Sequence, residues 1–224
     1  MPNPRTVLLT GGSRGIGAAI AAELTRRGDR VVAPARAELD LAEPASIDAF
    51  LARQRELPVD ILVNNAGINF LRGVPELDPA TWQAMLQTNL TAALRLTQAY
   101  APGMAARGWG RILNVSTIFS LVTRERRAAY SMTKAALNAL TRSTAIEFGP
   151  GGVLANALAP GYVDTALTRQ NNSPETIAAL KASIPLRRLA QTGELAKVAA
   201  FLVSEDNTYL TGQAVVADGG FTCL

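Results

Sequence analysis

Apolar positions along this chain alternate between two periods. Thr6-Val7-Leu8-Leu9 is a short, β-branched, apolar run; a glycine-rich turn follows it, and then Ile16, Ile20 and Leu24 recur at helical spacing. That order reads strand, turn, helix. Arg30-Val31-Val32-Ala33-Pro34-Ala35-Arg36 predicts a second strand, and Leu39-Asp40-Leu41 comes almost at once. A crossover between parallel strands ordinarily takes about a dozen residues or more, so a bare loop is expected here, with the third strand reduced to a stub. Pro44-Ala45-Ser46 opens a helix that runs through Ile47, Phe50 and Leu51 toward Leu57. Val59-Asp60-Ile61-Leu62-Val63 has the nearly continuous apolar character of a buried parallel strand and ends in Asn64-Asn65-Ala66-Gly67. Pro79 starts a long helix containing Trp82, Met85, Leu86, Asn89, Leu90, Leu94 and Leu96. Gly110 to Thr117 reads as a fifth strand with polar residues at its carboxyl end. A helix from Ala128 to Phe148 is stopped by Gly149-Pro150-Gly151-Gly152. A sixth strand, Val153 to Leu158, leads into Ala159-Pro160-Gly161. Residues 164–188 are polar and carry a short helical pattern from Pro174 to Ala182, as a mobile lid over a site would. Thr192-Gly193-Glu194 caps a last helix through Leu202, and Ala214 to Ala217 is a last strand.

This alternation predicts an α/β fold, a single Rossmann-like doubly wound parallel sheet with helices on both faces. With 224 residues, 48% of them hydrophobic, the chain can fill one core, and no shift in composition marks a linker. One domain, 1–224, is expected. In such a sheet ligands bind at the carboxyl ends of the strands, where Gly11, Asn65, Thr117 and Pro160 fall.

Composition then narrows the chemistry. There is no histidine and one cysteine, Cys223. A zinc site of nitrogen and sulfur ligands, a His-based nucleophilic triad and an intrachain disulfide are excluded, so no metal is expected and the acid or base must be Tyr, Lys, Asp or Glu. The net charge of +4 is spread over scattered arginines without an aromatic-rich strand, which suits an anionic cofactor better than nucleic acid. Residues 1–5 lack the apolar core of a signal peptide and no apolar run approaches membrane-spanning length. A soluble, cytoplasmic protein with no membrane partner is the expectation.

Two stretches carry chemistry. In Thr10-Gly11-Gly12-Ser13-Arg14-Gly15-Ile16-Gly17, glycines allow a tight turn and close approach of a ligand, and the helix behind them offers unpaired N–H groups to phosphate. A dinucleotide pyrophosphate fits, although glycines packed for steric reasons alone would look the same. In Tyr130-Ser131-Met132-Thr133-Lys134 a phenol and an ammonium share one helix face at i and i+4. An ammonium nearby stabilises phenolate and lowers the tyrosine pKa, so Tyr130 could work as general acid or base at a carbonyl or carbinol.

Taken in order, these motifs resemble the short-chain dehydrogenase/reductase family, in its common, roughly 250-residue type and in the pattern of its 3-oxoacyl carrier-protein reductase-like members. The likeness spans the chain: TGGSRGIG at 10–17, Asp40-Leu41, NNAG at 64–67, Asn89, NVST at 114–117, YSMTK at 130–134, Pro160-Gly161 with Val163 and Thr165, and Thr211-Gly212-Gln213 with Asp218-Gly219-Gly220. The resemblance implies that Tyr130 protonates the carbonyl oxygen in reduction and that Lys134 depresses its pKa and binds the nicotinamide ribose. The family's substrate-binding serine falls on Thr117, whose methyl stiffens χ1 and crowds the pocket. Ser116 is a second candidate. Asn89 would hold the water that links Lys134 to solvent, or else be a helix-bending core amide. For the cofactor it implies Gly11, Ser13, Arg14, Gly15, Ile16 and Gly17 at the pyrophosphate, Asp40 and Leu41 at the adenine, and Asn65, Ala66 and Gly67 beneath the adenosine ribose. Ser116, Tyr130, Lys134, Pro160, Gly161, Val163 and Thr165 would surround the nicotinamide.

An acidic side chain at the end of the second strand usually selects NAD. Here Ala35 and Arg36 stand in that place, and Arg14 lies in the turn. Two arginines favour NADP(H), with NAD(H) possible because Glu38 can come near the ribose. The expected function is reduction of a small-molecule ketone to a secondary alcohol, or the reverse. The alternatives are an NAD(H)-dependent alcohol dehydrogenase and a non-catalytic dinucleotide-binding sensor or scaffold. A homotetramer or homodimer is implied by the resemblance, through residues 135–146 and the C-terminal segment to Leu224.

Overall fold

The computed structural model describes residues 4–170 and 172–223. Of the expectations above, those on residues 1–3, on Asn171 in the lid and on Leu224 lie outside the described residues. Six strands are described, β1 Thr6–Leu9, β2 Arg30–Val32, β3 Ile61–Asn64, β4 Gly110–Val115, β5 Val153–Pro160 and β6 Ala214–Ala217, all paired in parallel in the order β2-β1-β3-β4-β5-β6.

Because side chains alternate across a strand, each strand feeds two cores. Val7 and Leu9 of β1, Ile61 and Val63 of β3 and Leu113 and Val115 of β4 face one way, onto α1 (Gly15–Arg26) and α8 (Thr192–Leu202) through Ile20, Leu24, Leu195 and Ala199. Leu8, Leu62 and Ile112 face the other way, onto α2 (Pro44–Arg53) and α4 (Ala92–Ala106) through Ile47, Phe50, Leu96 and Met104. The helix α5 (Ala128–Phe148) adds Ala145 to that second layer. The doubly wound α/β sheet is the predicted one.

Three local expectations need correction. The second strand stops at Val32, not Arg36, for Pro34 has no N–H to donate to a ladder. The stub at 39–41 does not join the sheet. The N–H groups of Glu38 and Leu39 both turn back to the Ala35 carbonyl, at 2.9 and 3.0 Å, and Leu39 and Leu41 bury as plugs in the second core. The loop is bare, as expected, and β2 is therefore an edge. The long helix after Pro79 is α3 (Pro79–Leu86) joined to α4 through a π-helical segment, Gln87–Thr91. The lid holds α6 (Ala166–Gln170) and α7 (Pro174–Ser183), the latter capped by Ser173, whose Oγ accepts from the Thr176 N–H at 3.2 Å. No helix among the described residues is long and apolar enough to cross a membrane.

Candidate active site

The carboxyl ends of β1 and β3 are stitched into one surface. The Thr10 hydroxyl accepts from the N–H groups of Asn65 and Ala66, both at 3.1 Å, and the Asn65 amide donates to the carbonyls of Thr10 and Gly11, both at 3.0 Å. That stitching leaves no room for side chains. A Cβ on Gly17 would sit 2.2 Å from the Gly11 oxygen and 2.4 Å from Asn65 Nδ2, and Gly11 itself has φ +69°. The helix α1 begins here without a side-chain cap on Arg14 and without an acidic residue in its first turn, so its N–H groups face outward with the positive dipole end. A cradle that a Cβ would fill, ending in an uncapped helix, fits a pyrophosphate. Ser13, Arg14 and Gly15 are exposed and Ile16 is half-buried beside them. Thr165 lies beside the turn, since a Cβ on Gly15 would be 3.9 Å from its methyl. Behind it, buried Val163 bridges to Ala190, and Gly161 packs on Asp218 so closely that a Cβ would come 2.7 Å from the Asp218 Cα. Pro160 ends β5 at the same level.

Beyond the end of β2 the residues assigned to adenine and phosphate meet each other. Arg36 Nε donates to Asp40 at 3.0 Å, and Asp40 also accepts from the Ala42 N–H at 3.0 Å, so its carboxyl is held below the usual range chiefly by that backbone donor, with Arg36 adding to it. Glu38 accepts from the Ala35 N–H at 2.8 Å, where the second strand gives out. Leu41 is buried.

The other end gathers Thr117, Tyr130, Lys134 and Asn89. Lys134 is buried, its Nζ 2.7 Å from the Val115 carbonyl and 5.9 Å from the Tyr130 ring centroid, and burial holds its pKa down to about 8. Asn89 sits in the π-helical segment with every polar atom engaged: Oδ1 accepts from the Ile68 N–H at 2.8 Å, and Nδ2 donates to the Ile68 carbonyl at 2.9 Å and to Thr133 Oγ1 at 3.2 Å. Its amide thus fixes the loop after β3, and Gly67 passes between it and Lys134, where a Cβ would lie 3.2 Å from Asn89 Oδ1 and 3.4 Å from Lys134 Nζ. Local π-geometry of this kind clusters at working sites. The two hydroxyls at the end of β4 are turned differently. Ser116 Oγ turns inward and donates to the Lys134 carbonyl at 3.3 Å, whereas Thr117 Oγ1 accepts from the Phe119 N–H at 3.3 Å and lies near the Tyr130 phenol.

Burial pushes the Tyr130 pKa up, and the Arg127 guanidinium opposes that rise, with the Thr117 hydroxyl adding to it. The Lys134 ammonium is turned to Val115 and is itself disfavoured by burial. Arg127, at the N-cap of α5 one turn before Tyr130, escaped the sequence reading, although i, i+3 spacing from the tyrosine could have flagged it. Tyr162 escaped it too, and Thr10 was read only as the start of the glycine turn, without the role of its hydroxyl.

A glycine cradle at a helix N-terminus and a tyrosine–lysine pair, joined through the loop after β3, fit a dinucleotide-dependent oxidoreductase of the doubly wound class. Comparison with known proteins narrows this. A family model described as enoyl-(acyl carrier protein) reductase matches residues 33–222. The 3-oxoacyl-(acyl-carrier-protein) reductase of Vibrio cholerae is 35% identical over 96% of each chain, and the acetoacetyl-CoA reductase of Shinella zoogloeoides is 33% identical over 96% of this chain and 98% of its own. A gluconate 5-dehydrogenase from Burkholderia cenocepacia, solved with NADP and tartrate, superposes with a TM-score of 0.89 at 31% identity, covering 98% of this chain and 96% of that one. The chain belongs to the short-chain dehydrogenase/reductase family and is an NAD(P)-dependent enzyme acting on CH–OH and C=O groups.

Proposed function

We propose that the protein is an NADP(H)-linked ketone reductase or secondary-alcohol dehydrogenase in which Tyr130 is the general acid and base. What supports this reading is that Thr117 and buried Lys134 lie beside Tyr130, and that Gly67, in the loop stitched to the glycine turn through Asn65 and Ala66, passes against Lys134 Nζ. Gly11, Ser13, Gly15, Ile16 and Gly17 would hold the pyrophosphate. Asn65, Ala66 and Gly67 would lie beneath the ribose, and Pro160, Gly161, Val163 and Thr165 beside the nicotinamide. When bound, the cofactor supplies or accepts the hydride. Tyr130 keeps its proton near neutrality because burial favours the phenol, which makes it ready to donate to a carbonyl oxygen. Thr117 orients that oxygen through a second hydrogen bond. Lys134 and Asn89 steady the tyrosine's surroundings, Lys134 through Val115 and Asn89 through Ile68.

For the cofactor, the NADP in the Burkholderia relative and the two arginines favour NADP(H). Arg14 is the better placed of the two, for Arg36 is already engaged with Asp40. Glu38, held at the Ala35 N–H, is the observation that favours NAD(H) as the second reading. Assembly as a homotetramer or homodimer belongs to the same proposal. Ile146 on α5 is 77% exposed and Met132 47%, two apolar side chains that such a contact would cover. A panel of ketones with NADPH, followed by loss of nicotinamide absorbance, tests the reading. Tyr130→Phe should abolish turnover while leaving cofactor binding by fluorescence titration intact; turnover comparable to wild type would remove Tyr130 from its role.

A further inference from the structure

Arg127 stands out among the charged side chains because nothing nearby neutralises it. Among the described residues it forms no ion pair, and its Nε is buried without an acceptor. Its guanidinium lies over the Phe119 ring, 4.9 Å from the centroid. That stacking engages the face of the group and leaves its in-plane N–H donors uncommitted. A second cation, Arg124, opposes its charge and donates to the Tyr162 hydroxyl at 3.2 Å. Phe119, Tyr162 and Phe221 form an edge-to-face aromatic series behind them, with centroids 6.1 and 5.3 Å apart. Burial and Arg124 both oppose the charge on Arg127, yet an arginine does not shed its proton under ordinary conditions. A desolvated cation without a counterion is costly, and a backbone bridge between Arg127 and Arg72 holds it in place nonetheless.

We propose that Arg127, assisted by Arg124 and Tyr162, receives a carboxylate carried by the substrate, so that the enzyme acts on small oxo acids and hydroxy acids. The site rests on the ketone-reductase reading, since the carboxylate is placed relative to Tyr130. Arg127 is the N-cap of α5 and precedes Tyr130 by three residues, so the two side chains share one face of the helix and an anion held by the guanidinium would lie near the reacting carbonyl. A phosphate at the far end of a pantetheine arm is many bonds from its thioester carbonyl and does not fit that spacing. The planar donor fork of arginine matches a carboxylate in two parallel bonds.

The test pairs each oxo acid with its neutral ester: acetoacetate with methyl acetoacetate, and 4-oxopentanoate with its methyl ester, all with NADPH. Wild type should favour the acids in kcat/KM. In Arg127→Gln the acid-to-ester ratio should fall about tenfold or more, chiefly through KM, and Arg127→Lys should restore part of it. Arg126→Gln, outside the pocket and paired with Glu76, should leave the ratio alone. Calorimetric titration with malonate and dimethyl malonate gives a second readout independent of turnover: malonate should bind wild type, the diester should not, and Arg127→Gln should weaken malonate about tenfold. A ratio unchanged in Arg127→Gln, a wild-type preference for esters, or malonate binding indifferent to Arg127 overturns the inference. Tyr130-dependent reduction of neutral ketones with no such discrimination would overturn it while leaving the ketone-reductase reading in place. Malonate binding through Arg127 in a protein whose turnover ignores Tyr130→Phe would do the reverse.

Discussion

Replacing Lys134 by methionine should make the folded protein less sensitive to pH while it loses activity. Lys134 is 3% exposed, and among the described residues its ammonium donates to the Val115 carbonyl. Burial lowers its pKa from 10.5 to about 8. Below about 8 the group is charged both folded and unfolded, and the fold bears the whole cost of burying the ammonium. Above 10.5 it is neutral in both states and that cost is gone. Between these values the unfolded chain binds more protons, so wild-type stability rises with pH. The difference between the two pKa values corresponds to about 3 kcal/mol, of which about 2–3 kcal/mol is recovered between about pH 7 and about pH 10. Methionine nearly matches the volume and carries no charge, but it leaves the Val115 carbonyl without its donor, at a cost of about 1–3 kcal/mol. At neutral pH the two effects leave Lys134→Met close to wild type or somewhat more stable. Urea unfolding of both proteins at several pH values, with the difference taken at each, isolates this one titration from all others. A difference that stays flat from neutral to alkaline pH would refute the reasoning, for it would mean that the ammonium is buried at no cost.

The other expectations concern the site directly. Thr117→Ala should lower kcat/KM by about 10²-fold, as for loss of an oxyanion donor, and Thr117→Ser should be tolerated; Ser116→Ala should be mild, and the opposite ranking in steady-state kinetics would exchange the two roles. The NADPH-to-NADH ratio of kcat/KM should exceed one and should drop more in Arg14→Ala than in Arg36→Ala, because Arg36 is tied to Asp40; a wild-type preference for NADH would instead assign the selection to Glu38. Light scattering should return the mass of a dimer or tetramer, and a monomer at all concentrations would dismiss the exposed face of α5 as an interface.

Much of this was legible in the sequence because it depended on local pattern. The parallel strands, the glycine turn and the span of α5 follow from periodicity and from residues that stop or permit backbone shapes, and these act within a few positions. The hydroxyl register at Ser116 and Thr117 was legible only as a pair of options. Both lie at the end of a strand, where alternation sends one inward and one outward, and only the folded chain shows that Ser116 is the one turned to the Lys134 carbonyl. What stayed hidden was set by distant neighbours. Arg36 and Asp40 each looked available to the cofactor, and nothing in their spacing says that the tight loop folds them together. Arg127 looked like an ordinary member of a basic run, Arg124-Glu125-Arg126-Arg127, and its isolation appears only once Glu76 is seen to take Arg126 instead. Likewise Leu39 and Leu41 have the alternation of a strand, yet they serve as plugs for a loop.

That loop has a consequence for solubility. With no strand beyond it, β2 exposes the unpaired backbone groups of one sheet margin, the kind of margin on which a second molecule can add its own strand. Here the margin is three residues long, begins at Arg30 with an exposed cation and runs directly into Ala33-Pro34. So short a ladder, ended by a residue with no donor, gives an incoming strand too few hydrogen bonds to hold. The chain thus keeps the border of its sheet from nucleating aggregates without a helix to cover it, and lengthening β2 by Pro34→Val would take that protection away.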